Sequence, residues 1–159
     1  MNNVELIKVD DSHKDLLWNI LQKYLYELPP YYSKKMDNEG NFPYKYFNNY
    51  FENEPGREAF LFSSNLEIIG FALINSHSAN EDRINHFLGE FSIFPQYRKS
   101  GLSKKSADTL FEIRKGKWQL VYSNKNIPAM KFWNKILVKY NPIKKEMEDS
   151  EVLVSFISE

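Results

Sequence analysis

The chain has 159 residues, of which 42% are hydrophobic; this is enough for one domain, 1–159, with a real core and short for two. Lysines plus arginines number 21, as do aspartates plus glutamates, so the formal net charge is zero and no global field favours nucleic acid or an anionic membrane. The absence of cysteine excludes disulfides, a thiol nucleophile and thiolate metal sites.

The N-terminus has no basic region leading into an apolar run, and nowhere do about 18 apolar residues follow one another, so a soluble cytoplasmic protein is expected. Residues 4–9 alternate as a first strand does. Asp10, Asp11 and Ser12 then offer helix N-caps with Asp15 in the first turn, which predicts a helix from near Ser12. Leu16, Leu17, Ile20, Leu21, Tyr24, Leu25 and Leu28 share one helical face, and Pro29 and Pro30 end the run.

Residues 31–57 change character. Aliphatics thin out while Tyr31, Tyr32, Phe42, Tyr44, Tyr46, Phe47, Tyr50 and Phe51 gather among Asp37, Glu39, Glu52 and Glu54. A short helix over 44–52 fits, with Tyr44, Phe47 and Phe51 on one side. Two uses of these rings stay open: covering one end of the core, or lining a pocket for a cationic amine.

Apolar runs at 59–62 and 68–74, joined through Ser63, Ser64 and Asn65, read as a hairpin of central antiparallel strands. The polar stretch 75–85 reads as a loop. A strand over 86–94, a helix over 102–115 with Gly116 as its C-cap, and a strand over 117–122 follow. Asn126 and Pro128 suit the start of a helix that gathers Ala129, Phe132, Trp133, Ile136, Leu137 and Tyr140, closed by Pro142. The tail predicts a weak strand, a turn at 148–150 and a stronger last strand ending at 157, with no repeat or linker.

Between the strand at 86–94 and the next helix lie Pro95, the basic Arg98 and Lys99, and Gly101. The first N–H groups of a helix lack internal partners and carry partial positive charge, so an anion is stabilised there. Gly101 leaves room for a phosphate, and Arg98, Lys99, Lys104 and Lys105 add charge. The three spaced glycines of a dinucleotide fold and the Gly-Lys-Ser/Thr of a P-loop are both missing, because Leu102 follows the single glycine.

Arg98-Lys99-Ser100-Gly101-Leu102-Ser103 resembles the Gln/Arg-x-x-Gly-x-Gly/Ala pyrophosphate signature of the GNAT superfamily of N-acetyltransferases, except for Ser103 in the last place. Asn126-Ile127-Pro128-Ala129-Met130-Lys131-Phe132-Trp133 is similar to that family's Asn-x-x-Ala-x-x-Phe-Tyr helix. The resemblance is sharp over 86–137, and elsewhere the element order is compatible with it. It implies an α/β GNAT fold, a mixed and mostly antiparallel central sheet flanked by helices, with acetyl-CoA as cosubstrate.

On that resemblance, the main-chain amides of Lys99, Ser100, Gly101, Leu102, Ser103 and Lys104 cradle the pyrophosphate beside Arg98. The pantetheine arm pairs with the strand at Phe91, Ser92 and Ile93. Asn126 contacts the cofactor or only caps its helix, and Trp133 packs near it. Glu90, which precedes the cofactor-facing segment, is the candidate general base; a plain strand glutamate in an ion pair is the alternative. Many members use a tyrosine as acid where Trp133 stands, and indole cannot supply that proton, so either Tyr140 substitutes or the thiolate departs unaided.

The expected reaction is acetyl transfer to a primary amine of a small molecule or peptide. A polyamine, an aminoglycoside, an amino acid and a protein amine all fit, and a homodimer is compatible. The alternative is a GNAT-like domain that binds CoA without turnover. His13, His77 and His86 show no metal-ligand spacing, so no metal is expected.

Overall fold

The computed structural model describes residues 3–28, 32 and 34–159. Strand β1 (Glu5–Lys8) leads to a 3-10 turn over Asp11–His13, whose N-cap Asp10 accepts from the Ser12 amide at 2.9 Å. Helix α1 (Lys14–Glu27) follows, and it buries Leu17, Ile20, Leu21 and Leu25 as its periodicity requires. Leu16, expected on that face, stays 42% exposed at the edge of the stripe. Pro29, Pro30 and Tyr31 lie outside the described residues.

The helix expected over 44–52 forms only a 3-10 turn at Asn48–Phe51, preceded by looser turns. Strands β2 (Glu58–Ser64) and β3 (Glu67–Asn75) make the hairpin, turning at Asn65 and Leu66, both at positive φ. Strand β4 (His86–Ile93) leads through a 3-10 turn to α2 (Leu102–Ile113) and β5 (Gly116–Ser123). Gly116 is no helix cap: α2 ends at Ile113, and Gly116 opens β5 at φ 130, packed against the Asn85 side chain. Helix α3 (Ile127–Leu137) and the hairpin of β6 (Ile143–Glu146) and β7 (Glu151–Ser158) complete the chain.

Among the described residues the sheet has seven strands in the order β1-β2-β3-β4-β5-β7-β6, and β4 and β5 are its one parallel pair. Side chains alternate across it, as the two-residue strand period dictates. Ala59 and Leu61 pack with α1, Phe42, Phe47 and Tyr50 on one face, whereas Phe60 and Phe62 join α2, α3 and the fully buried Trp118 on the other. Large side chains buried to this degree each contribute roughly 1.5–3 kcal/mol. No helix described is long and apolar enough to cross a membrane.

The parallel pair is short. β4 and β5 match only at His86↔Trp118, Phe87↔Gln119 and Leu88↔Leu120. Immediately beyond, Gly89 is an extra residue in the pairing with β3, because Ile74 faces Leu88 while Leu73 faces Glu90. Such a bulge bends its strand. β5 meanwhile stays paired with β7 as far as Ser123↔Glu151, so a wedge opens between β4 and β5 after Leu88.

Asn126 caps α3 by accepting from the Ala129 amide at 3.2 Å, with Pro128 in the first turn. Asn126→Ala is expected to cost about 1 kcal/mol in a denaturant melt, the usual loss for a removed cap. An unchanged midpoint would mean that the Asn126 side chain adds nothing to this turn.

Candidate active site

The wedge begins at Glu90. The bulge sets its side chain toward the α1 face, where two phenols close on the carboxylate: Tyr24 on α1 donates to Oε1 at 2.9 Å and Tyr44 donates to Oε2 at 2.8 Å. Burial pushes the Glu90 carboxyl above its ordinary range, opposed by the Tyr44 and Tyr24 hydrogen bonds and the Lys34 charge. Burial, followed by the Glu90 charge, pushes both phenols up, so they stay protonated donors. The Lys34 ammonium lies 5.9 Å from the Tyr44 ring centre. Among the described residues this carboxylate therefore has rings, two hydrogen-bonding hydroxyls and the Lys34 cation around it.

At the far end of β4 the chain turns through Lys99 at φ 66 and Gly101 at φ 83 into α2. Among the described residues no side chain caps this helix, and its first internal bond runs from the Lys105 amide to the Gly101 carbonyl, which leaves the Leu102, Ser103 and Lys104 amides for an outside acceptor. A Cβ built at Gly101 would meet no atom within 4 Å. The approach to these donors is therefore bare.

The basic side chains arrange themselves differently from a simple phosphate cluster. Arg98 folds back, donating from Nε to the Ile93 carbonyl at 2.6 Å and facing Glu27 at 3.4 Å, so it ties the end of β4 to α1. Lys104 pairs with Asp108 at 2.7 Å, and the Ser100 hydroxyl donates to the Tyr97 carbonyl at 2.7 Å. The Leu102 side chain is buried in the core, and Ser103 lies in the first helical turn.

Phe91, Ser92 and Ile93 form the strand between these two ends, opposite Ala72, Phe71 and Gly70 of β3. On the α2–α3 face Phe91 meets Trp133 at 5.2 Å and Phe132 at 5.7 Å between ring centres. Trp133 is thus a buried packing residue under the wedge, carried on α3, the helix that Asn126 caps.

Tyr140 does not join Glu90. Seven residues of helix and 3-10 turn carry it about 10 Å along the axis from Trp133. There it packs on Phe111 and Phe156. Phe156 is the strand partner of Trp118, which in turn pairs with His86, so Tyr140 stands at the closed end of the β4–β5 pair. It also lies on the sheet face opposite Tyr24 and Glu90. The structure thus sets Tyr140 apart from the Glu90 carboxylate instead of bringing the two together.

Tyr24 and Lys34 are the site residues that the sequence did not single out. A tyrosine on an otherwise aliphatic helical face was the available signal for Tyr24; nothing local marked Lys34. Among the described residues no group of three or more His, Asp or Glu side chains is placed to hold a metal ion.

Solved structures share this architecture. An acetyltransferase from Thermus thermophilus superposes with a TM-score of 0.69 at 16% identity, covering 99% of both chains. A GNAT-family acetyltransferase from Streptococcus agalactiae gives 0.70 at 15% identity, covering 98% of this chain and 96% of its own. AAC(6')-Ib in complex with ribostamycin and coenzyme A gives 0.71 at 14% identity, covering 98% and 93%. At such identities the likeness is one of fold. No curated protein sequence matches the chain significantly. Residues 16–137, well over half of the chain, match the family described as Acetyltransferase (GNAT) family. With the wedge between β4 and β5 and the bare start of α2 in place, the chain belongs to the GNAT family of acetyltransferases.

Proposed function

We propose that this protein is an acetyl-CoA-dependent N-acetyltransferase that acts on a primary amine of a small molecule or peptide. The observation that carries this reading is a carboxylate, Glu90, held by two hydroxyls at the point where β4 leaves β5.

The residues present fit the cosubstrate. The bare amides of Leu102, Ser103 and Lys104 at the start of α2, with Lys99 beside them, suit a pyrophosphate. Main-chain groups between Gly89 and Ser92 on the β5 side have no strand partner among the described residues and suit an amide-bearing arm laid along them. Phe91, supported by Trp133, gives that arm an apolar floor. When bound, acetyl-CoA supplies the acetyl group as a thioester.

An amine reaches the site as an ammonium ion and must lose a proton before it can attack. Glu90 takes that proton, directly or through water, because its carboxylate lies where β4 leaves β5 and burial raises its proton affinity above that of an exposed glutamate. The rings of Tyr24 and Tyr44 shield the position and favour a cationic approach. The Trp133 indole has no acidic proton to give, which favours either unassisted departure of the thiolate, protonated afterwards by solvent, or the second reading, a CoA-binding domain without turnover.

Thiol release from acetyl-CoA, followed with product mass across an aminoglycoside, a polyamine, free amino acids and a lysine peptide, separates these readings. Amine-dependent release with an acetylated product is the expected result. Binding of CoA with no turnover on any arm would leave the domain as a binding module.

A further inference from the structure

Glu90 is flanked by more groups than a base requires. Tyr24 reaches it from α1, and Tyr44 and the Lys34 ammonium from the aromatic segment. The Tyr32 hydroxyl lies within electrostatic reach of Glu90 and also of Glu151 on β7. Tyr50, which the charge of Glu90 also reaches, is tied instead to Arg57 and Asn75. On β3 the direct neighbour is Leu73, which carries no polar atom in its side chain.

We propose that Tyr24 and Tyr44 are positioning residues for the transfer: each hydroxyl fixes one oxygen of Glu90, and together they keep it a correctly aimed carboxylate. The inference rests on the reading of Glu90 as the base. A carboxylate oxygen has two acceptor sites, so the clamp uses one on each oxygen and leaves the others to an incoming ammonium or water. Without the clamp the side chain could swing about its terminal torsions.

The two effects on this carboxyl oppose each other. Surrounding protein favours the neutral acid, and hydrogen bonds donated to the charged form favour the carboxylate. Both donors are phenols whose own ionisation is suppressed, so neither passes the proton on. Their role is to hold and to tune. The Tyr24 ring also packs edge-on against Phe71 at 5.3 Å, a contact that phenylalanine preserves. Tyr→Phe at these positions therefore removes the hydroxyl alone.

The test is a titration of Tyr24→Phe, Tyr44→Phe and the double variant with carbon-13-labelled glutamate in the ligand-free protein, where Glu90→Gln identifies the resonance. The expected result is a Glu90 midpoint at higher pH in each single variant and higher again in the double. In turnover, the acid limb of kcat/KM should move the same way, with about a tenfold loss per hydroxyl at the acid end and recovery at high pH. An unchanged midpoint in both single variants, or a loss equal at every pH, would overturn the proposal. If Tyr24→Phe fails to fold, Tyr44→Phe decides alone. Because the titration needs no substrate, a shifted midpoint in a protein that acetylates nothing would sustain the clamp and refute the enzyme.

Discussion

Gly101→Trp is expected to abolish the stabilisation of the protein by CoA and acetyl-CoA while leaving a folded chain. A ligand that binds only the folded state adds about 2.7 kcal/mol at a hundred times its Kd, which for a chain of this size raises the melting point by several degrees. A tryptophan at position 101 removes that gain for two reasons. Its side chain extends from the residue that directly precedes the free amides of Leu102, Ser103 and Lys104. It also has to adopt φ near +83, where an L-residue is strained by roughly 1–2 kcal/mol, so the turn itself shifts. The fold survives because a Cβ there meets nothing within 4 Å, and the added bulk lies outside the core. The loss of affinity should exceed about a hundredfold, close to 3 kcal/mol, equivalent to losing two or more charge-assisted hydrogen bonds. Thermal-shift titrations with CoA, acetyl-CoA and ATP read it directly. An unaltered shift with CoA in Gly101→Trp would mean that the pyrophosphate lies elsewhere.

Local rules made much of this architecture legible. The apolar runs of β2 and β3, the stripe of α1, the cap at Asn126 and the strand-turn-helix around Gly101 each depend on residues within a turn or two of one another, and each formed. What was not legible depends on contacts between distant segments. Tyr24 and Tyr44 stand 66 and 46 residues from Glu90, and no periodicity links the three. Arg98 read as a phosphate cation because its neighbours are basic, yet its length lets it fold back to the Ile93 carbonyl and Glu27. Tyr140 shares a helical face with Trp133, but phase around an axis says nothing about height along it, and height placed Tyr140 beside Phe156. Gly116 could end one element or begin the next; packing against Asn85 decided for β5.

Glu90→Gln should cost activity and raise stability, and the two effects have one origin. As a general base Glu90 must be ionised, and loss of such a group lowers kcat/KM by about a hundredfold or more. Glutamine keeps the shape and an acceptor for one of the phenols but cannot take a proton. In the folded protein burial lifts the Glu90 carboxyl above its ordinary value of 4.5. The native state therefore binds this proton more tightly than the unfolded chain does. Its contribution to stability is fully present below 4.5 and is lost as the pH rises through the folded value. As the pH rises above 4.5 the wild-type protein progressively loses that contribution, whereas the neutral glutamine does not titrate. The melting point of Glu90→Gln relative to wild type should thus be higher at pH 7 than at pH 4, while turnover at pH 7 collapses. Full activity across the pH range in this variant would remove Glu90 from the chemistry. A melting difference that does not depend on pH would show that its carboxyl is not held in the raised state. If both effects appear together, the site gives up stability to keep a charged carboxylate at the opening of the β4–β5 wedge, where an amine has to lose its proton.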